Sequence, residues 1–172
     1  MRYVDLRRTI VCCGKGYPDV STHELVHFLS SRFGLRVLAL VDGDPHGIEI
    51  AHVYACGSKA LARDHARLAL ESADTLEWLG VRQSDLLRAG AAQEAMLPLT
   101  SHDRRKALSL LRRNDDDKHT LRPDWRRELE RMLWTQRKAE IQALDSLEGG
   151  LASYLDARLG LSSATDQSAE MQ

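Results

Sequence analysis

The chain has 172 residues, 43% of them hydrophobic and 28% charged, and a formal net charge of −1. That is enough apolar material for one packed domain, and it excludes both a disordered chain and a polycation that binds by bulk charge alone. No apolar run is long enough to span a bilayer and the N-terminus has no signal-peptide pattern, so no membrane partner is expected. Cys12, Cys13 and Cys56 form no CxxC pair and read as reduced, buried thiols of an intracellular protein.

In chain order, residues 1–8 are a polar lead-in. Thr9–Cys13 is β-prone and reads as a first strand, closed by the glycine-rich turn Gly14–Asp19. Asp19, Ser21 or Thr22 then caps a helix to about Phe33, with Leu25, Val26, Phe28, Leu29 and Phe33 on one face. Arg36–Val41 is a second, continuously apolar strand of the kind buried in parallel sheets. Helices are expected from Gly47 to about Ala55 and from Lys59 to about Leu70, and a third strand over Thr75–Leu79, closed by Gly80. This β-α-β-α-β order argues for a parallel sheet with right-handed crossovers.

Past Gly80 the character turns helical. Ser84–Met96 reads as a short helix and loop. Thr100 followed three residues on by Asp103 is an N-cap pattern for a helix to about Arg113, which Asn114–Asp117 breaks. Arg122-Pro123 opens another helix to about Trp134, which Lys138–Leu147 continues; Gly149-Gly150 stops it, and Ala152–Leu159 is a last short helix. Trp78, Trp125 and Trp134 read as core residues. The expected organisation is an α/β core over 9–99, a helical C-terminal extension over 100–160 and a disordered polar tail over 161–172.

The chemistry concentrates at the end of the second strand, Val41-Asp42-Gly43-Asp44-Pro45-His46-Gly47. Residues i and i+2 of a strand share a side, so Asp42 and Asp44 can converge on one hard divalent cation such as Mg²⁺. In open α/β sheets ligands collect at such carboxyl ends. Lys15, in the turn Gly14-Lys15-Gly16-Tyr17-Pro18-Asp19, is placed to meet a phosphate; the turn is no Walker loop, since no GK[ST] follows a four-residue spacer. Between Thr100 and Lys138 there are 12 Lys/Arg against 7 Asp/Glu, and from Ala139 onward 1 against 6. Arg104 and Arg105 are candidates for phosphate contacts in the basic segment, whose remaining charges read as solvated helix faces. His23-Glu24-Leu25-Val26-His27 matches HExxH, but both histidines fall opposite the apolar face and are expected in solvent, not on zinc.

GKGYPD, VDGDPHG and Lys138-Ala139-Glu140-Ile141-Gln142, in this order and spacing, resemble the Toprim domain of the topoisomerase VI A-subunit family, which includes the meiotic proteins that make double-strand breaks to start recombination. The resemblance covers residues 9–159 and implies a Toprim-type parallel sheet flanked by helices. It further implies Mg²⁺ at Asp42 and Asp44, and DNA beside Lys15, Tyr17 and Asp19. The family's third metal ligand is a glutamate on an earlier strand; here only Asp5 precedes Asp19 among acids.

The resemblance implies an isomerase-class transesterase acting on double-stranded DNA in the nucleus, as a homodimer with an ATPase B-type subunit. The nucleophilic tyrosine belongs to a separate winged-helix domain, and Tyr3, Tyr17, Tyr54 and Tyr154 do not match its motif, so the chain alone is expected to be inactive. The alternatives are a non-catalytic DNA-binding or dimerisation module and a small Toprim nuclease.

Overall fold

Two parallel strands carry the architecture: β1, Val37–Leu40, and β2, Leu76–Gly80, with Val37 opposite Leu76 and Ala39 opposite Trp78. The computed structural model describes residues 9–56, 76–90, 93–113 and 120–161. The pairing runs on past β1, through Val41 N–H to the Gly80 carbonyl at 2.7 Å and Val81 N–H to the Val41 carbonyl at 2.5 Å. Helix α1 spans Val20–Phe33, before β1, and α2 spans Pro45–Cys56, after it. After β2 come α3, Gln83–Arg88; β3, Leu97–Pro98; α4, Ser101–Leu111; α5, Pro123–Thr135; β4, Arg137–Lys138; and α6, Gly150–Leu159. This is the expected α/β class: a parallel pair flanked by helices.

One apolar cluster joins the sheet to α2, α4 and α5 through Ile48, Ala51, Leu76, Trp78, Ala107, Leu110, Trp125, Leu129 and Met132. Each of the large side chains contributes about 1.5–3 kcal/mol by leaving water. Trp78 and Trp125 meet edge to face, with ring centroids 6.2 Å apart. A second cluster, around Val81, Leu86, Met96, Leu144 and Tyr154, seats α6 and the segment after β4. Among the described residues, the backbone of β2 takes side-chain donors on the side away from β1. Arg82 and Arg158 donate to the Trp78 carbonyl at 2.8 and 3.2 Å, Arg158 to Leu79 at 2.9 Å and Arg122 to Leu76 at 3.1 Å.

The structure corrects several expectations. Among the described residues Thr9–Cys13 does not form a strand; Ile10 and Val11 are 60% and 69% exposed, and Cys12 and Cys13, expected to be buried, are exposed as well. β propensity describes fit to a neighbouring strand, and neither sheet of the described residues includes this segment. Helix α1 is rotated from the expected orientation, keeping Val26 and Leu29 of the apolar face half-buried. Leu25, Phe28 and Phe33 are exposed while His23 is fully buried, its Nε2 lying 3.2 Å from the Tyr54 carbonyl and its ring edge-on to that of Tyr54. Packing against α2 thus overrides the apolar stripe, and His23 is not on a solvent face.

Trp134 is 89% exposed. It lies nine residues beyond Trp125, two and a half turns at 3.6 residues per turn, and so falls on the opposite side of α5 from the core. The helix does not continue through 138–147 either. Gln136 takes a left-handed φ of 57°, β4 pairs back on β3, and Ile141–Ser146 is a 3₁₀ helix. The helix expected over 59–70, the Asn114–Asp117 break, the lead-in and the tail from 162 lie outside the described residues.

The buried histidine carries a prediction. His23→Ala should cost about 2 kcal/mol of stability, through reduced packing and a Tyr54 carbonyl left unbonded, and His27→Ala less than about 0.5. Urea denaturation measures both; equal, negligible losses would return His23 to the surface.

Candidate metal and phosphate site

Asp42 and Asp44 are held at the end of β1 by a clamp from the far end of the chain. Gly43 and Ala139 exchange both backbone hydrogen bonds, Gly43 N–H to the Ala139 carbonyl at 2.6 Å and the reverse at 3.0 Å. Two residues on, Ile141 N–H donates to Asp42 Oδ1 at 2.8 Å. Gly43 cannot be larger, because a β-carbon there would lie 2.5 Å from the Val81 carbonyl and 3.1 Å from Ala139 Cβ. Asp44 precedes Pro45 and caps α2, accepting Gly47 N–H on Oδ1 at 2.7 Å. Gly47 is equally constrained: a β-carbon would come within 2.1 Å of the Asp42 carbonyl.

Backbone N–H groups thus take one oxygen of each aspartate, Ile141 that of Asp42 and Gly47 that of Asp44, while the second oxygen of Asp44 has the Lys138 ammonium 3.9 Å away. Both residues line a cleft of about 350 Å³, together with Gly14, Lys15, His46 and Gly47. Burial pushes the Asp44 carboxyl above its usual range, against the pull of Gly47 N–H, Lys138 and His46. Asp42 and Asp44 are the carboxylates of a cleft whose described lining is otherwise mostly apolar, with Val26, Val37, Leu40 and Ile50 in its walls. The pair fits Mg²⁺ in that this ion needs only one or two carboxylates and fills its shell with water and phosphate oxygens. Among the described residues no group of three His, Cys, Asp or Glu side chains gathers around one point. His23 and His27 of HExxH sit on α1, and His23 turns inward.

The surroundings include residues whose part the sequence did not announce. Lys138 Nζ lies 3.2 Å from Asp103 Oδ2 and 3.9 Å from Asp44 Oδ2. Asp103 forms the expected capping box with Thr100, whose N–H and Oγ1 reach its Oδ2 at 3.0 and 2.7 Å. Burial alone would raise the Asp103 carboxyl, but the bonds from Thr100 and Lys138 outweigh it and hold it low. His46 Nε2 is 3.9 Å from Asp103 Oδ1 and its ring stacks on His102. Glu49 is 8% exposed and collects Lys106, Arg113 and the Tyr17 hydroxyl. The one sequence signal for Glu49 is an acid inside the apolar run Gly47-Ile48-Glu49-Ile50-Ala51.

The proposed DNA-facing residues are not gathered in one place. Lys15, with a left-handed φ of 53°, is exposed and lines the cleft of the aspartates. Tyr17 donates its hydroxyl to Glu49, and burial and that carboxylate push its pKa up. Asp19 caps α1, accepting Thr22 N–H at 2.7 Å, which lowers its pKa. Arg104 and Arg105 stand exposed on α4, outside the cleft lining.

A parallel pair that ends in Asp-Gly-Asp, with a helix starting on the second aspartate, defines a Toprim-type α/β domain. The family model for the Toprim domain of the topoisomerase 6 A-subunit/Spo11 proteins matches residues 1–159, and the chain belongs to that family. Over 137 residues it is 43% identical to the A3 subunit of DNA topoisomerase 6 from Oryza sativa subsp. indica, covering 80% of this chain and 30% of that protein. Over 152 residues it is 40% identical to meiotic recombination protein SPO11 of Mus musculus, covering 87% and 37%. The A-subunit of DNA topoisomerase 6 from Arabidopsis thaliana is 39% identical over 137 residues, covering 80% and 31%. The chain thus spans about a third of the length of these curated relatives.

Glu49 supplies a pH-dependent test. Burial raises its carboxyl, but Lys106, Tyr17 and Arg113 outweigh that and hold the folded value below the ordinary one. Its stabilisation is therefore complete above an unfolded value of about 4.3 and is lost as pH falls through the lower folded value. Glu49→Gln should cost about 2 kcal/mol at pH 7, a partly solvated ion cluster being worth less than a fully buried one. The gap to wild type should narrow on acidification to about pH 3. Urea titrations at both pH values measure it; a gap of constant size would assign the loss to packing.

Proposed function

We propose that this chain is the ion-holding, DNA-contacting part of a protein that takes part in DNA double-strand breakage by tyrosine transesterification, in the initiation of meiotic recombination. The observation that carries the reading is the aspartate pair, each carboxylate held by a backbone N–H, in a cleft that Lys15 also lines. Asp42 and Asp44 would hold Mg²⁺, which when bound supplies charge stabilisation at a phosphate oxygen. Lys15 adds a point charge for a backbone phosphate, and Arg104 and Arg105 add sequence-independent attraction along α4.

Tyr17 and Tyr154 are no candidates for the nucleophile. Tyr17 donates to Glu49, Tyr154 lies 2.9 Å from Asp85 Oδ2, and burial raises the pKa of both. By likeness to the family, the nucleophile comes from a winged-helix domain on the other member of a dimer. The same proposal includes a homodimer, an ATPase B-type partner and a nuclear location.

A second reading, a non-catalytic DNA-binding or dimerisation module, is favoured by the ion site itself. Among the described residues it offers two carboxylates with an ammonium beside one of them.

Titrating the protein with Mn²⁺ by electron paramagnetic resonance tests the ion site: wild type should bind one ion weakly, and Asp42→Asn with Asp44→Asn should abolish binding. Retained stoichiometric binding would place the ion elsewhere. Duplex DNA should bind without sequence preference and with a steep salt dependence. Neutralising Lys15, Arg104 and Arg105 should reduce the log–log slope by roughly 0.9 for each phosphate that is no longer neutralised. An unchanged slope would remove these residues from the interface. With Mg²⁺ or Mn²⁺ and supercoiled plasmid, the 172-residue chain should give neither nicks nor a covalent adduct. An adduct abolished by mutating one of its own tyrosines would overturn the assignment of the nucleophile.

A further inference from the structure

We infer that Lys138 is a built-in counter-cation of the Asp42/Asp44 site and sets how tightly that site takes a divalent ion. The inference rests on the reading that these aspartates hold an ion. Lys138 has little freedom to be elsewhere. Its backbone is paired with Leu97 in the β3–β4 ladder, and the next residue, Ala139, is bonded to Gly43 between the two aspartates. The side chain is 16% exposed. Its ammonium is drawn to Asp103 at 3.2 Å, and Asp103 is itself fixed by Thr100.

The second neighbour is the informative one. Lys138 Nζ stands 3.9 Å from Asp44 Oδ2, the oxygen that the Gly47 N–H leaves open. The ammonium and an incoming cation thus address the same oxygen. An ion about 2 Å from that oxygen lies within a few ångströms of the ammonium. Charges of +1 and +2 about 5 Å apart repel enough, even at the dielectric constant of water, to cost roughly tenfold in affinity. Asp103 moderates this by holding the ammonium away from Asp44. Lys138 and Asp103 therefore act on the ion in opposite directions, although they form one ion pair. A residue pair that merely supported the fold would weaken binding whichever member was removed.

The experiment is a Mn²⁺ titration followed by electron paramagnetic resonance, with circular dichroism and thermal melts to establish folding. Lys138→Met keeps the aliphatic stem and removes the charge; its Kd for Mn²⁺ should fall roughly tenfold below wild type. Asp103→Asn releases the ammonium towards Asp44, and its Kd should rise several-fold. Lys138→Arg keeps the charge and should stay within about threefold of wild type. A folded Lys138→Met protein that binds no more tightly than wild type overturns the inference while leaving the ion site intact. Should Lys138→Met fail to fold, Asp103→Asn decides: an unchanged or lower Kd overturns the inference. Absence of Mn²⁺ binding in wild type and all variants overturns the ion site, and the inference with it.

Discussion

Two backbone hydrogen bonds between Gly43 and Ala139 hold this structure's chemistry together. They are ordinary in strength, each worth about 1 kcal/mol net, but their position is decisive. They lock the residue between the two aspartates to the segment that follows β4, and everything around the cleft follows from that lock. Ile141 reaches Asp42 because it is two residues beyond Ala139, and Lys138 reaches Asp44 because it is one residue before. The need for glycine at 43 is the steric side of the same contact. The Asp-Gly-Asp and Lys-Ala-Glu-Ile-Gln motifs are thus halves of one device, which explains physically why they occur together.

A second organising centre lies behind the cleft. Glu49 on α2 draws in the Tyr17 hydroxyl from the glycine-rich turn and two cations from α4 and its end. One buried carboxylate thereby orders the turn that carries Lys15 and fastens α4 to α2. Burial makes such a cluster costly unless every partner is present, and here Glu49 has three.

Much of this is legible in the sequence, and the exceptions share a cause. The β1 and β2 strands, the cap of α4 and the proline start of α5 are local signals, and each forms where its residues place it, whereas α2 starts at Pro45, two residues before the expected Gly47. The end of α5 is not legible, because the turn at Gln136 is stabilised by pairing with β3 and Gly43, partners distant in sequence. The orientation of α1 is hidden because its apolar stripe is weaker than what His23 gains against Tyr54. Trp134 is different: its spacing from Trp125 already puts it on the far side of α5, and only the bulk of a tryptophan argues for the core. Asp42 and Asp44 stand out in the sequence as two carboxylates at the end of an apolar run, although β1 itself ends at Leu40. Lys138, Asp103 and Glu49 do not show themselves as part of the site, because what matters in them is whom they touch across the fold.

The bond from Ile141 to Asp42 joins residues 99 apart in sequence. Closing so long a loop is entropically expensive and slow compared with forming any of the helices. On a ribosome the aspartates emerge long before their clamp does. Until residue 141 is available, Asp42 and Asp44 are restrained by the pairing of β1 with β2 on one side and the cap on α2 on the other, without the bond that fixes the Asp42 carboxylate. The site is therefore among the last parts of the molecule to mature, and a nascent or C-terminally shortened chain can hold much of its hydrophobic core without yet holding a competent pair of carboxylates.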